Sequence, residues 1–355
     1  MAVADLSNPV VPEFDIKINQ RALDDGARPF IASIVVDDSL AWPSMFAVEF
    51  VSSFDLEDVH QWIDSSDLAV GNVAEFKLGY GNDLESLIIG EITGLEPEFV
   101  VDRLPSVIVR GYDRRHRMQR GRKTRTFVTQ KDSDIASAVA REAKLRVEAV
   151  DSTVIHDYVI QANQTDLEFL QERARRIQYE VFVIDKTLHF RPVQNDKTEV
   201  MTLTIGEHLL EFYPRLSMVR QIGDVSVRGW NPQEKKKILS TAEVKFESAK
   251  MGGKKSGPQI NNVFGSMPDV QSMRPAMTQA EADQMAQASL NQKALSLIEG
   301  EGVCLGRTDL RAGKVIKIAG VGERFSGPYY VTTATHRYTA QGGYRTHFQV
   351  RRNAS

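Results

Sequence analysis

The chain has 355 residues, 42% hydrophobic and 26% charged, which supplies material for packed cores and argues against global disorder. Forty-four Lys and Arg against 47 Asp and Glu give a net charge of −3, which disfavours a general polyanion binder but not a local basic patch. The single cysteine, Cys304, excludes an intramolecular disulfide framework and any zinc site that needs two thiolates.

Met1 to Val11 has no basic n-region and no apolar h-region, so no secretory signal is expected. Apolar runs such as Phe30–Val36 are strand length, far short of the roughly 20 residues of a membrane span. Phe14, Ile16 and Ile18 alternate with polar neighbours, the period of a half-buried strand. Ile31–Val36 and Ser44–Val51 read as further strands around a turn-bearing loop, Asp37–Pro43. Val73–Gly79 and Leu87–Thr93 flank Gly79–Asp83 as a hairpin, and Pro105–Arg110 ends the block. Asp55–Leu68 reads as helical or irregular. Short strands joined by turns indicate a barrel or a sandwich.

The middle changes character. Asp132–Ile135 opens a helix running to about Arg146, with Ile135, Ala138, Val139 and Ala143 on one face. Thr165–Glu168 has the Thr-x-x-Glu form of a capping box, followed by the apolar stripe Leu167, Leu170, Ala174 and Ile177. Tyr179–Ile184 and Thr187–Arg191 form a hairpin around Asp185-Lys186. Strands return at Met201–Ile205, Gln221–Val227 and Lys237–Thr241. Residues 249–277, rich in Gly and Pro, read as a long exposed loop. Thr278–Glu281 is a second capping box, opening a helix to about Glu299. Lys314–Ile318, Tyr329–Thr335 and Tyr344–Arg351 are strands. The order is β-rich, α/β, β-rich, with no short tandem repeat.

Chemical motifs are scarce. Gly320-Val-Gly322 with Gly327 lacks the spacing of a phosphate loop and lies between strands, so it reads as turns. His336 and His347 stand on the last two strands, where they could face each other, a weak ligand pair without further donors. Cys304 reads as a buried, inert thiol. Asn163-Gln-Thr165 matches a glycosylation sequon, but Thr165 is better placed as a helix cap. No catalytic, cofactor or metal residues are singled out.

One strong charge signal remains. Asp113 to Arg125 holds Arg114, Arg115, Arg117, Arg120, Arg122, Lys123 and Arg125, a local charge of about +6. It reads as a solvated connector with internal ion pairs, as a contact for an acidic protein, or as a nucleic-acid patch. Only Tyr112 and Phe127 flank it, which argues against base stacking. The seven cations are candidate protein-interface residues.

Several segments together resemble a known family. They are Val109-Arg-Gly-Tyr-Asp113 with the basic run and Arg125-Thr-Phe127, Asp132–Ile135, Gln161–Leu170 and Val227-Arg-Gly-Trp-Asn-Pro232. Near the end come Gly320–Val331, Thr335-His-Arg-Tyr338 and Gly343–Phe348. In order and spacing they resemble the late control protein D family of contractile-tail phages, which includes the baseplate hubs of contractile injection systems and the N-terminal half of VgrG proteins. The resemblance runs from about residue 14 to 352.

It implies a β-rich α+β fold with two similar antiparallel β-barrel tube domains and an α/β insertion. The corresponding division is 1–112 for the first barrel, 113–199 for the α/β insertion, 200–232 with 300–355 for the second barrel, and 233–299 for a loop and helix insertion. Val109–Tyr112 and Val227–Trp230 then look like equivalent strand ends. The resemblance further implies a non-enzymatic homotrimer whose pseudo-sixfold ring joins a sixfold inner tube to a threefold spike. No cofactor, small-molecule substrate or stable membrane insertion is expected, and the partners are the inner tube protein, a spike protein and other baseplate proteins. The chain stops at Ser355, where VgrG proteins continue into a needle, so the spike is expected to be separate. The expected place is the cytoplasm at synthesis, then a tail or injection particle, phage or host-encoded. Two readings from other classes stand beside this one. A glycan hydrolase would need an acid/base carboxylate pair in a cleft. A nucleic-acid adaptor using the basic run would show steep salt dependence.

Overall fold

The computed structural model describes residues 11–52, 61–101, 103–243, 250–261, 265, 269–271 and 276–355. The first block supplies β1 (Pro12–Ile18), β2 (Arg21–Ala22), β3 (Ile31–Ser39), β4 (Met45–Val51), β5 (Val73–Tyr80), β6 (Asp83–Glu98) and β7 (Ser106–Tyr112). They pair antiparallel in the order β3-β4-β7-β6-β5-β1-β2. A period of two sends one side of each strand inward. Phe14, Ile34, Phe46, Phe50, Phe76 and Val109 thus share one core. The expected hairpin joins Tyr80 to Asp83 through two residues, with Gly81 at φ +54°. Of the segment expected to be helical or irregular, 53–60 lies outside the described residues, and Ser66–Leu68 is one 3₁₀ turn.

The second block holds β8 (Lys123–Lys131), α1 (Asp132–Glu142), β9 (Arg146–Ala149), β10 (Ile155–Gln164), α2 (Asp166–Arg176), β11 (Tyr179–Ile184) and β12 (Thr187–Pro192). Both sides of the expected capping box form: Thr165 Oγ1 accepts from Glu168 N–H at 3.2 Å and Glu168 accepts from Thr165 N–H at 2.9 Å. Helix α1 ends four residues before the expected Arg146, because Lys144 at φ +58° turns the chain into β9. The end of the basic run is a strand rather than a connector: β8 pairs with β10 as a two-stranded ribbon.

The remaining elements are β13 (Thr202–Thr204), β14 (Leu209–Leu216), β15 (Asp224–Asn231), β16 (Lys236–Glu243), α3 (Gly257–Ile260), β17 (Asp269–Gln271), α4 (Gln279–Ala294), β18 (Ile298–Leu305), β19 (Val315–Ala319), β20 (Gly327–Thr339) and β21 (Gly343–Arg352). Strands β14-β18-β21-β20 continue the large sheet, because β20 pairs with β3, and β19 and β13 pair beyond β20. A second core gathers Leu209, Cys304, Ile316, Tyr329, Val331 and Phe348.

Helix α4 ends at Ala294, short of the expected Glu299, because Ile298 already begins β18, and the structure departs from expectation at two further places here. The Gln221–Val227 segment with Val227–Trp230 was expected in the same sheet as the final strands. Instead β15 joins β16 and β17 in a separate sheet, because Val225 and Val227 are buried against Ala282, Ala286 and Leu290 of α4. Residues 249–277 are described only in part, and that part is not an exposed loop. It includes α3 and β17, Met251 is buried beside Tyr330, and the backbone of Lys254 and Lys255 donates to Ser355 O. No helix among the described residues is long and apolar enough to cross a membrane.

Candidate functional site: a charged joint and its cleft

The basic run opens on a 3₁₀ helix, Arg114–Gln119, that Asp113 caps by accepting from Arg115 N–H at 2.7 Å. The same carboxylate accepts from Ser44 N–H at 2.7 Å and from the Arg115 guanidinium at 2.7 and 2.9 Å. Arg115 is 1% exposed and also donates to Ser39 O and Ser44 Oγ, both at 2.9 Å. Arg114, equally buried, bridges Glu91 at 3.3 Å and Asp185 at 2.5 Å. Glu91 also receives Arg117 and His116. Burial alone would raise the Glu91 pKa, but the hydrogen bonds from Arg117 and His116 and the arginine charges outweigh it and hold the carboxyl below its usual range.

Further along, Arg122 reaches Glu168 at 3.1 Å and Asn163 O at 2.7 Å. Lys123 donates to Asp166 at 2.6 Å and Glu142 at 3.0 Å, and the bond to Asp166 chiefly raises its pKa. Arg125 reaches Asp166 at 2.8 Å, Gln161 at 2.7 Å and Glu142. Arg120 is exposed and makes no ion pair among the described residues. The run is therefore largely neutralised within the chain, and it ties the large sheet to the α/β unit. Arg114 and Arg115 are withdrawn from any surface; Arg117, Arg120 and Arg122 keep the most exposure.

Sequence reading missed what lies beside this joint. A cleft of about 400 Å³ separates the β11–β12 hairpin from the large sheet. Arg311 crosses its floor, donating to Asp38 at 2.8 Å and to Leu87 O at 2.5 Å. Burial would push Asp38 up, but the Arg311 charge and hydrogen bond hold it below its usual range. One wall carries Phe182, whose ring stacks on His189 at 4.8 Å and lies under the Arg191 guanidinium at 4.7 Å. Behind it Tyr330 of β20 donates a short hydrogen bond to Glu180 of β11, and Arg191 Nε lies 3.7 Å from the same carboxylate. Burial pushes Glu180 up to about 7 against both partners. These residues come from β3, β11, β12, β20 and the segment before β19, so no local spacing could have signalled them.

The other candidates resolve plainly. His336 and His347 do not face each other: His336 pairs with Thr346 in register and points into the core, while His347 is exposed on the opposite face. Burial, with the Arg311 charge, drives His336 down to about 3. No cluster of metal-ligating side chains occurs among the described residues. Cys304 is buried, and burial pushes its thiol up to about 12. The glycines at 320, 322 and 327 all have positive φ in the turn between β19 and β20.

Among solved structures, the fold is similar to the 43 kDa tail protein of prophage MuSo2 from Shewanella oneidensis, at 13% identity and a TM-score of 0.73, over 96% of this chain and 98% of that one. It is also similar to a tail protein from Neisseria meningitidis, at 10% identity and a TM-score of 0.70, over 96% of each chain. An E. coli component of the type VI secretion system matches at 14% identity and a TM-score of 0.59, over 96% of this chain and 77% of that one. At such identities the likeness establishes a β-rich tail-protein fold. No curated protein matches the sequence. The family model of the Alg8 N-terminal domain covers residues 13–340, nearly the whole chain, and the chain belongs to that family.

Proposed function

We propose that the chain is a structural hub subunit of a contractile tail or injection device, three copies of which join a sixfold inner tube to a threefold spike. The observation that carries this reading is the end-to-end likeness to a prophage tail protein, joined to a large sheet that wraps two separate cores. Strands β1 and β3–β7 surround one core; β13, β14 and β18–β21 surround the other. Read as two related barrels, they would place six such units in a ring of three chains. The α/β unit (113–199) and the β15–β17 sheet with α4 then decorate the ring. The inner tube, a spike protein and other baseplate proteins are the proposed partners, and the assembled particle is the proposed location.

The reading is non-enzymatic. In its support, the carboxylates lining the cleft are each held by an arginine: Asp38 by Arg311, Asp113 by Arg115 and Asp185 by Arg114. Such pairing leaves no ready acid/base couple there. The internal pairing of the basic run weighs against the nucleic-acid alternative. The test is the mass of the assembly formed with a tube or spike partner present. Trimers with a central channel are expected; monomers or dimers alone refute the hub.

A further inference from the structure

The sheet of β15, β16 and β17 buries one face against α4, with Val225, Val227, Ile238 and Ala242 pointing inward. The period of two sends the alternate side chains to the opposite face, where Trp230, Leu239 and Val270 are 48%, 60% and 45% exposed. In register, Trp230 lies opposite Lys237 and Arg228 opposite Leu239, so two apolar side chains hold one diagonal and two cations the other. Arg228, Lys235 and Lys237 are exposed and make no ion pair among the described residues; Lys236 alone meets a carboxylate, Glu234, at 3.4 Å. Arg228 to Lys237 thus carries a local charge of +3 in a chain of net −3. The carboxylates of the same face, Asp224 and Glu243, stand opposite each other beyond the Ser226–Thr241 pair, whose hydroxyls bond to one another at 3.1 Å. The contrast with the basic run is direct. There every cation but Arg120 finds a carboxylate within the chain, whereas here three are left to meet one from outside.

We propose that this open sheet face is a docking surface for an acidic protein, one that presents carboxylates around an apolar patch. Its apolar side chains would pack on Trp230, Leu239 and Val270, and its carboxylates would meet Arg228, Lys235 and Lys237. An exposed Trp flanked by Arg is the composition that carries much of the free energy at protein interfaces. The unpaired cations add discrimination against basic partners and speed encounter. Two other polyanions fit less well. A single strand of nucleic acid calls for a row of aromatic platforms, and Trp230 is the one aromatic side chain of this face among the described residues. An anionic lipid surface calls for a projecting tip, and this turn is drawn back by Gln233, which donates to Asp157 of β10 at 3.3 Å. The inference goes beyond the hub reading and does not rest on it, so the failure of either leaves the other standing.

The test is selection from a random linear-peptide library with the full chain as bait, followed by fluorescence anisotropy on the enriched peptides at low and high salt. Enriched peptides should combine Asp or Glu with Leu, Ile or Phe, and their affinity should fall as salt is added. The double variant Arg228→Glu with Lys237→Glu, and separately Trp230→Thr, should each weaken them about tenfold or more. Arg120→Glu, a cation outside this face, should leave them unchanged. All four positions are exposed, and circular dichroism checks that each variant folds. No enrichment overturns the proposal, as do enriched peptides without acidic residues or equal binding by the double variant. If an oligothymidylate or phosphatidylglycerol vesicles bind the face more tightly than the peptides, it is a nucleic-acid or lipid site and the proposal falls. It falls likewise if light scattering shows the double variant separating copies that the wild-type chain holds together.

Discussion

Glu180 offers a direct measurement of how the α/β unit is fastened to the large sheet. The side chain is 8% exposed, receives the Tyr330 hydroxyl from β20, and is pushed by burial up to about 7. Between about pH 4.5 and 7 the folded protein holds a proton there that the unfolded chain has released. The folded state therefore binds more protons, and this contribution to stability is complete below about 4.5 and lost as pH rises through 7. At about 1.4 kcal/mol per pH unit the interval corresponds to about 3 kcal/mol. Glu180→Gln keeps the shape and an acceptor for Tyr330 but does not titrate. Urea denaturation of both proteins at pH 4, 5, 6, 7 and 8 should give nearly equal stabilities at pH 4. The variant should then gain progressively, reaching about 3 kcal/mol over wild type at pH 8. Asp38 and Asp132 run the other way. Burial raises both, but Arg311 for the first and His156 with Arg173 for the second outweigh it, so their contributions fade on acidification. Being common to both proteins, they cancel in the difference. A difference that is flat with pH, or a Gln variant less stable than wild type at pH 8, would refute the reasoning.

Three shorter predictions follow from the same geometry. Arg115→Ala should cost about 3–5 kcal/mol in urea denaturation by stranding buried Asp113, whereas Arg120→Ala should stay within about 0.5 kcal/mol; comparable small losses would show that the joint is not held as described. Cys304 should react with a disulfide-exchange reagent at pH 8 only after denaturation, and prompt reaction of the native chain would contradict its burial. Gly111→Ala should destabilise by about 1–3 kcal/mol, because a Cβ there would sit 2.2 Å from Phe46 Cζ and 2.3 Å from Glu91 O; an unchanged urea midpoint would mean the strands can part.

The sequence was legible where physics is local. Period-two alternation located β1, β3, β4 and β5, and the Thr165 and Thr278 caps located the starts of α2 and α4. Two hidden strands, β8 and β10, carry Arg125 and Gln161 at inward positions where apolar residues would have announced them, and those groups instead meet Asp166. The two Val-Arg-Gly segments show how a shared pattern can mislead. Gly111 is required by the approach of Glu91 O and Phe46 in the large sheet. Gly229 is required by Ala276 O, 2.2 Å from its would-be Cβ, in a different sheet. The cleft was illegible for another reason: Asp38, Phe182, Arg191 and Arg311 are brought together only by tertiary packing.

The pairing of β20 with β3 also bears on how the chain must be made. Thr335 meets Asp37 across 298 residues of sequence, so one margin of the first sheet is completed by residues that leave the ribosome long after β3. At about 5–20 residues per second, the edge of β3 that faces away from β4 waits on the order of 15–60 s with its backbone donors and acceptors unpaired. An open strand edge of that kind invites pairing with other nascent chains. Its half-buried Ser33 and Asp37 flank the stretch that holds the buried Ile34 and Val36, so the waiting strand carries polar residues on either side of its apolar centre. Conditions that slow synthesis between residues 40 and 330 should therefore raise the aggregated fraction more than an equal delay after residue 340.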